Sequence, residues 1–138
     1  MTDMSKVETE MRVTFHEADA AGILFFANHF KIAHGAYEDF MKSIGCGLDT
    51  IVSDAPYRLP IVHAEADYQQ PLVLGEAFTL CLSAEIGETS FTLAYVFRNK
   101  KGRVATRLKT VHVSVDKVTG EKIALPEEIR KGLAAITC

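Results

Sequence analysis

The chain has 138 residues, 48% of them apolar and 24% charged, a length and balance that suit a single globular domain over 1–138 and leave little room for a second core. Its formal net charge of −3 gives no long-range pull toward nucleic acid or an anionic membrane, so any anionic ligand has to be held by a local basic cluster. The longest apolar run, Ala20 to Ala27 with Gly22 inside it, falls far short of the ~20 residues that cross a bilayer, and Met1 to Glu10 carries no apolar core of a secretory signal; a cytoplasmic protein with no membrane partner is expected.

From Val7 to Phe15 apolar and polar residues alternate, the period of a half-buried strand. His16 to Gly22 loses that alternation and reads as a loop. Phe26, Phe30, Ala33, Tyr37, Phe40, Met41 and Ile44 then recur at steps of three and four, which predicts one long amphipathic helix stopped by Gly45 and Gly47. Its aromatic face is expected to be core. Gly45 to Tyr57 is a connection with weak helical character around Leu48 to Val52. Arg58 to Gln69 alternates again, with Val62, Ala64, Ala66 and Tyr68 on one face and Ile61, His63, Glu65 and Asp67 on the other. Phe78 to Ile86, Ser90 to Arg98 and Arg103 to Asp116 are further strands, separated by Gly87 to Thr89 and by the hairpin turn Asn99 to Gly102. Pro126 opens a short terminal helix. The order predicts an α+β domain in which an antiparallel five-stranded sheet wraps around one long helix, the only element able to cover it. Cys46, Cys81 and Cys138 form no C-x-x-C pair and are expected to be reduced thiols, with no metal and no cofactor.

The segment that stands out is His16-Glu17-Ala18-Asp19-Ala20-Ala21-Gly22-Ile23-Leu24-Phe25-Phe26, two acids in a loop ahead of an apolar run into a helix. Taken alone, an acid placed there is most simply a helix cap that complements the dipole, with a catalytic carboxylate as the alternative. Phe15, Glu17, Asp19, Gly22, Ile23, Leu24, Phe25, Phe26 and Asn28 fill the pattern F-x-[DE]-x-D-x-x-G-[IV]-[VL]-[FY]-[FYH]-x-N. In this the sequence resembles the hotdog-fold acyl-CoA thioesterases of the 4-hydroxybenzoyl-CoA thioesterase family. Leu59-Pro60-Ile61-Val62 and Lys109 to Asp116 also look like that family. His34-Gly35-Ala36-Tyr37-Glu38 and Val62-His63-Ala64 are similar to its 1,4-dihydroxy-2-naphthoyl-CoA hydrolase branch, and hint at an aromatic acyl group.

The resemblance implies a hotdog fold and hydrolysis of an acyl-CoA to free acid and coenzyme A. It gives Asp19 the role of nucleophile or general base, and the backbone amide of Phe26 that of oxyanion donor. The amides of Gly22 to Phe26 are expected to be unpaired helix donors facing the ligand. Gly22, Asn28 and His63 are candidate substrate contacts. For the coenzyme A phosphates the candidates are Lys100, Lys101 and Arg103, with Arg107 as a further basic residue. The family builds its site between subunits, so a homodimer or homotetramer is expected. Two rivals stand beside this reading. One is a hotdog dehydratase or hydratase, whose helix start usually carries a His with an acid, unlike Asp19-Ala20-Ala21-Gly22. The other is a non-catalytic acyl-CoA or acyl-carrier-protein binding module in which Asp19 is only a cap.

Overall fold

The computed structural model describes residues 7–136. Five of its strands are β1 (Val7–Arg12), β3 (Ile61–Tyr68), β4 (Ala77–Ile86), β5 (Ser90–Asn99) and β6 (Val104–Val113). They form one antiparallel sheet in the order β1-β4-β5-β6-β3. The long helix α1 (Asn28–Ser43) carries the chain from the edge strand β1 toward the opposite edge, β3, and Ala33, Ala36, Tyr37, Phe40 and Met41 bury its inner face in the core. From the sheet, alternate residues Phe91, Leu93, Tyr95 and Phe97 of β5 and Phe78, Leu80 and Leu82 of β4 meet it. The expected α+β hotdog architecture is the one observed. The helix stops as a Schellman motif, with Gly45 at φ 82°, its amide on the Lys42 carbonyl at 3.1 Å and the Cys46 amide on the Met41 carbonyl at 2.8 Å.

Several expected boundaries move. The first strand ends at Arg12, because the chain turns there and a single 3₁₀ turn at Phe15–Glu17 follows, leaving Phe15 83% exposed. The weakly helical connection is a true helix, α2 (Leu48–Asp54). Arg58 supplies what its short sequence lacks: its guanidinium donates to the carbonyls of Ile51, Val52 and Ala55 at 3.1, 2.8 and 3.3 Å, capping the helix end from outside it. The long last strand breaks at Ser114, and its continuation β7 (Val115–Asp116) pairs instead with β2 (Tyr57–Arg58) in a second small sheet. A terminal helix, α3 (Glu127–Ala134), follows Pro126 as expected and buries Ile129 and Leu133. Cys46 is free and buried, whereas Cys81 is disulfide-bonded, against the expectation of a reduced thiol. Bridging depends on Cβ proximity in the fold, which spacing along the chain does not reveal. Cys138 and the first six residues lie outside the described residues.

A polar chain runs through the core beneath α1. Tyr95 Oη and Thr110 Oγ1 are 3.2 Å apart, and Thr110 Oγ1 lies 2.9 Å from His112 Nε2. The His112 ring is fully buried and stacks on Phe91 at 4.6 Å and 8°. Burial, reinforced by the neighbouring His34, lowers its pKa to about 4 from 6.5. Between those values the unfolded chain takes up a proton that the folded chain refuses. The stability this site contributes is therefore complete above pH 6.5 and is lost as pH falls toward 4. Between pH 7.5 and 5 the loss should be about 2 kcal/mol. Urea midpoints at the two pH values should show it in the wild type and show it shrunken in His112→Phe; equal losses in both would remove His112 as the cause.

Candidate active site

The loop between β1 and α1 is held by its own side chains and by its ends. Glu17 Oε1 accepts from Thr14 Oγ1 at 2.6 Å and from the Thr14 amide at 3.2 Å, which closes the 3₁₀ turn. The Glu17 carbonyl accepts the Asn28 side-chain amide at 2.9 Å and the Phe25 backbone amide at 2.9 Å. Asn28 therefore fastens the loop to the first turn of α1. Its side chain ties the start of α1 to the loop backbone, and it is not among the residues that line the cavity below.

Asp19 begins a tight reversal. Its carbonyl accepts the Gly22 amide at 3.0 Å, and Gly22 sits at φ 77°, a conformation open to glycine at little cost. The Gly22 carbonyl accepts the Leu74 amide at 2.9 Å, and Gly22 is not among the residues that line the cavity below. Asp19 Oδ1 accepts the amides of Ala21 at 2.8 Å and Ile23 at 3.3 Å. Among the described residues no donor reaches Oδ2. One carboxylate oxygen is thus anchored and the other is not. The cap reading fails, because α1 starts at Asn28 with Ala27 as its N-cap and no side chain bonded there.

Asp19 lines a cavity of about 430 Å³ with Phe25, Phe26, His29, Tyr68, Gln70 and neighbouring residues. The expectation that all the amides from Gly22 to Phe26 are unpaired is corrected. Gly22 and Ile23 bond to Asp19, Leu24 donates to the Leu72 carbonyl at 2.8 Å, and Phe25 donates to Glu17. The turn at Asp19 takes the first two donors, and a pair of isolated β-bridges, Ala18 to Leu24 and Ile23 to Val73, takes those of Leu24 and Phe25. The Phe26 amide is the one in the stretch with no acceptor among the described residues. The Phe26 ring is not core; it is 61% exposed at the cavity mouth. His29 and Tyr68, absent from the expected site, are brought there by the fold. His29 is buried against Tyr68 and Phe97, with ring centroids 4.9 and 5.4 Å away.

A second cavity, of about 570 Å³, shares the Gln70–Pro71 wall with the first and is lined on its far side by Lys100, Lys101 and Arg103. The hairpin that carries these cations is pinned by Asn99. Its Oδ1 accepts the amides of Lys101 and Arg103, each at 3.0 Å, and its Nδ2 donates to Gln70 Oε1 at 3.3 Å. The acidic loop and the basic hairpin thus line two neighbouring cavities that meet at Gln70 and Pro71. Two expected residues lie elsewhere. His63 stands on the outer face of β3, 3.0 Å from Glu65 Oε1, opposite to the face that turns Tyr68 toward α1. Arg107 is paired in register with Asp67 on that same outer face. A third, apolar cavity holds His34 and Tyr37 with Leu59, Pro60 and Ile61.

The family described as the thioesterase-like superfamily matches residues 13–133. A 1,4-dihydroxy-2-naphthoyl-CoA hydrolase of Synechococcus elongatus is 33% identical over 132 residues, 94% of this chain and 96% of that protein. Among solved structures, a 1,4-dihydroxy-2-naphthoyl-CoA thioesterase from Synechocystis superposes with a TM-score of 0.88 at 24% identity, covering 94% of this chain and 96% of that one. A gentisyl-coenzyme A thioesterase superposes with a TM-score of 0.79 at 26% identity, covering 92% and 99%.

Proposed function

The chain belongs to the thioesterase-like superfamily, and from that premise we propose that it hydrolyses an aromatic acyl-CoA, with Asp19 attacking the thioester carbonyl or activating the water that does. The enzyme class, acyl-CoA thioesterase, follows from the family and its curated relatives. The observation that carries the finer reading is the adjacency of two cavities that share Gln70 and Pro71, one lined by the anchored carboxylate of Asp19 and the other by the cations Lys100, Lys101 and Arg103. A coenzyme A thioester needs both ends: a nucleophile or base at the acyl carbon and positive charge at the phosphates.

In this mechanism the acyl carbonyl lies beside Oδ2 of Asp19, with its oxygen toward the Phe26 amide. As attack proceeds, negative charge builds on that oxygen where the amide meets it. The C–S bond then breaks to release coenzyme A as thiolate, a leaving group that needs no protonation for departure. If Asp19 forms an acyl anhydride, water hydrolyses it in a second step; if Asp19 acts as base, water supplies the new C–O bond directly. Phe25, Phe26 and Tyr68 wall the acyl end with aromatic surface. Relatives named for naphthoyl and gentisyl thioesters support an aromatic acyl group here. The test is release of free thiol from aromatic, short-chain and long-chain acyl-CoA esters. Fastest turnover of the aromatic set is expected, and equal turnover of all three would discard the acyl preference.

The reading includes a cytoplasmic setting and a homodimer or homotetramer. No helix among the described residues is long and apolar enough to cross a membrane. The edge strand β3 carries exposed Ile61, Val62 and Tyr68, a surface that pairing with a second copy would cover. A monomer by light scattering at micromolar concentration would count against that assembly.

A further inference from the structure

Phe26 has a carbonyl that the helix does not use. The Phe30 amide donates to Ala27 at 3.2 Å instead, and the Phe26 carbonyl accepts two side chains: Tyr68 Oη at 2.8 Å and His29 Nδ1 at 3.1 Å. A carbonyl only accepts, so Nδ1 of His29 bears the proton in this contact. Tyr68 comes from the edge strand β3 and His29 from α1, so the clamp joins two elements across the mouth of the cavity that Asp19 lines. One residue earlier, the Phe25 carbonyl accepts the Asn28 amide at 2.9 Å. Both peptide planes flanking Phe26 are therefore held at their carbonyl ends. In a trans peptide the N–H points away from its carbonyl, so fixing the carbonyls fixes where the amides of Phe26 and Ala27 point. Neither amide has an acceptor among the described residues.

Resting on the thioesterase reading above, we propose that Tyr68 and His29 are positioning residues that hold the Phe26–Ala27 backbone so that its free amides face the thioester carbonyl oxygen. They touch neither the reacting atoms nor the nucleophile. Their effect is on the alignment of a donor that matters most when charge develops, so it falls on turnover rather than on binding. Polarisation adds to it: a carbonyl that accepts two hydrogen bonds makes the N–H of the same peptide a stronger donor.

Tyr68→Phe removes the hydroxyl and keeps the ring against His29. His29→Asn keeps a donor close to Nδ1, and His29→Leu removes it. With acyl-CoA as substrate, Tyr68→Phe and His29→Leu should each lower kcat by about tenfold with KM within about twofold, and His29→Asn should recover most of the loss. A second readout does not depend on hydrolysis. In ¹⁵N-labelled protein the Phe26 and Ala27 amide signals should be sharp in the wild type and shifted or broadened in Tyr68→Phe, with the remaining spectrum preserved. Unchanged amide signals in Tyr68→Phe would overturn the clamp, as would unchanged kcat. Perturbed amides with no turnover of any ester by the wild type would leave the clamp standing and overturn the thioesterase reading.

Discussion

Asp19→Asn should lower thioester hydrolysis by about three orders of magnitude while the protein folds and binds acyl-CoA as before. The substitution separates two roles that share one side chain. Oδ1 is an acceptor for the Ala21 and Ile23 amides, and an asparagine oxygen can accept both, so the turn survives. What changes is the other position, where a free carboxylate oxygen becomes an NH₂ group with no lone pair to offer the carbonyl or a water. If Asp19 serves only to form the turn, asparagine in its place would serve as well and hydrolysis would continue at the wild-type rate. No hydrolysis of any ester by the folded wild type, with acyl-CoA still bound, would instead favour a non-catalytic acyl-binding module. Thiol release by wild type and variant, with binding of a non-hydrolysable acyl-CoA thioether as the control, distinguishes these outcomes.

How far the site is legible in the sequence depends on the distance along the chain over which each contact acts. The Asp19 loop is local: its acid, its glycine and the helix that follows lie within a few residues, and their order carries the family pattern. The Leu24 amide looks unpaired from the sequence because its acceptor is the carbonyl of Leu72, beside the bridge of Ile23 to Val73, about fifty residues further on, and the Ile23 and Phe25 amides because Asp19 Oδ1 and the Glu17 carbonyl turn back on them within an aperiodic loop. The Tyr68 hydroxyl reaches Phe26 across 42 positions, and no pattern within either segment announces the pair. For β3 the alternation separates the two faces correctly, with His63 and Tyr68 on opposite sides. It does not say which side turns inward, because nearly the whole strand is exposed at the sheet edge. His63 is a candidate through the family resemblance, and Tyr68 is passed over because nothing in the strand marks its face as the inner one. The Arg58 cap on α2 is hidden for a related reason, since a guanidinium that gathers carbonyls of the preceding helix leaves no periodic trace.

The basic hairpin shows how register brings charges distant in sequence close to the Asp19 cavity. Pairing of β4 with β5 sets Phe78 opposite Asn99, and this brings the hairpin tip beside Gln70 and the Asp19 cavity. Lys100, Lys101 and Arg103 are exposed, so each contact with a coenzyme A phosphate is limited by solvent to about 1 kcal/mol. Three together reach roughly a hundredfold in affinity at low salt, less as added salt screens them. Replacing all three by glutamine should accordingly raise KM for acyl-CoA by up to about a hundredfold and leave kcat near the wild-type value, because none of the three lines the cavity of Asp19 and Phe26. An acyl thioester of N-acetylcysteamine, which lacks the phosphates, should be hydrolysed equally by wild type and variant. Equal losses on both substrates would place the damage in the fold of the hairpin and its Asn99–Gln70 fastening. An unchanged KM for acyl-CoA would move the phosphate site away from this hairpin while leaving the chemistry at Asp19 untouched.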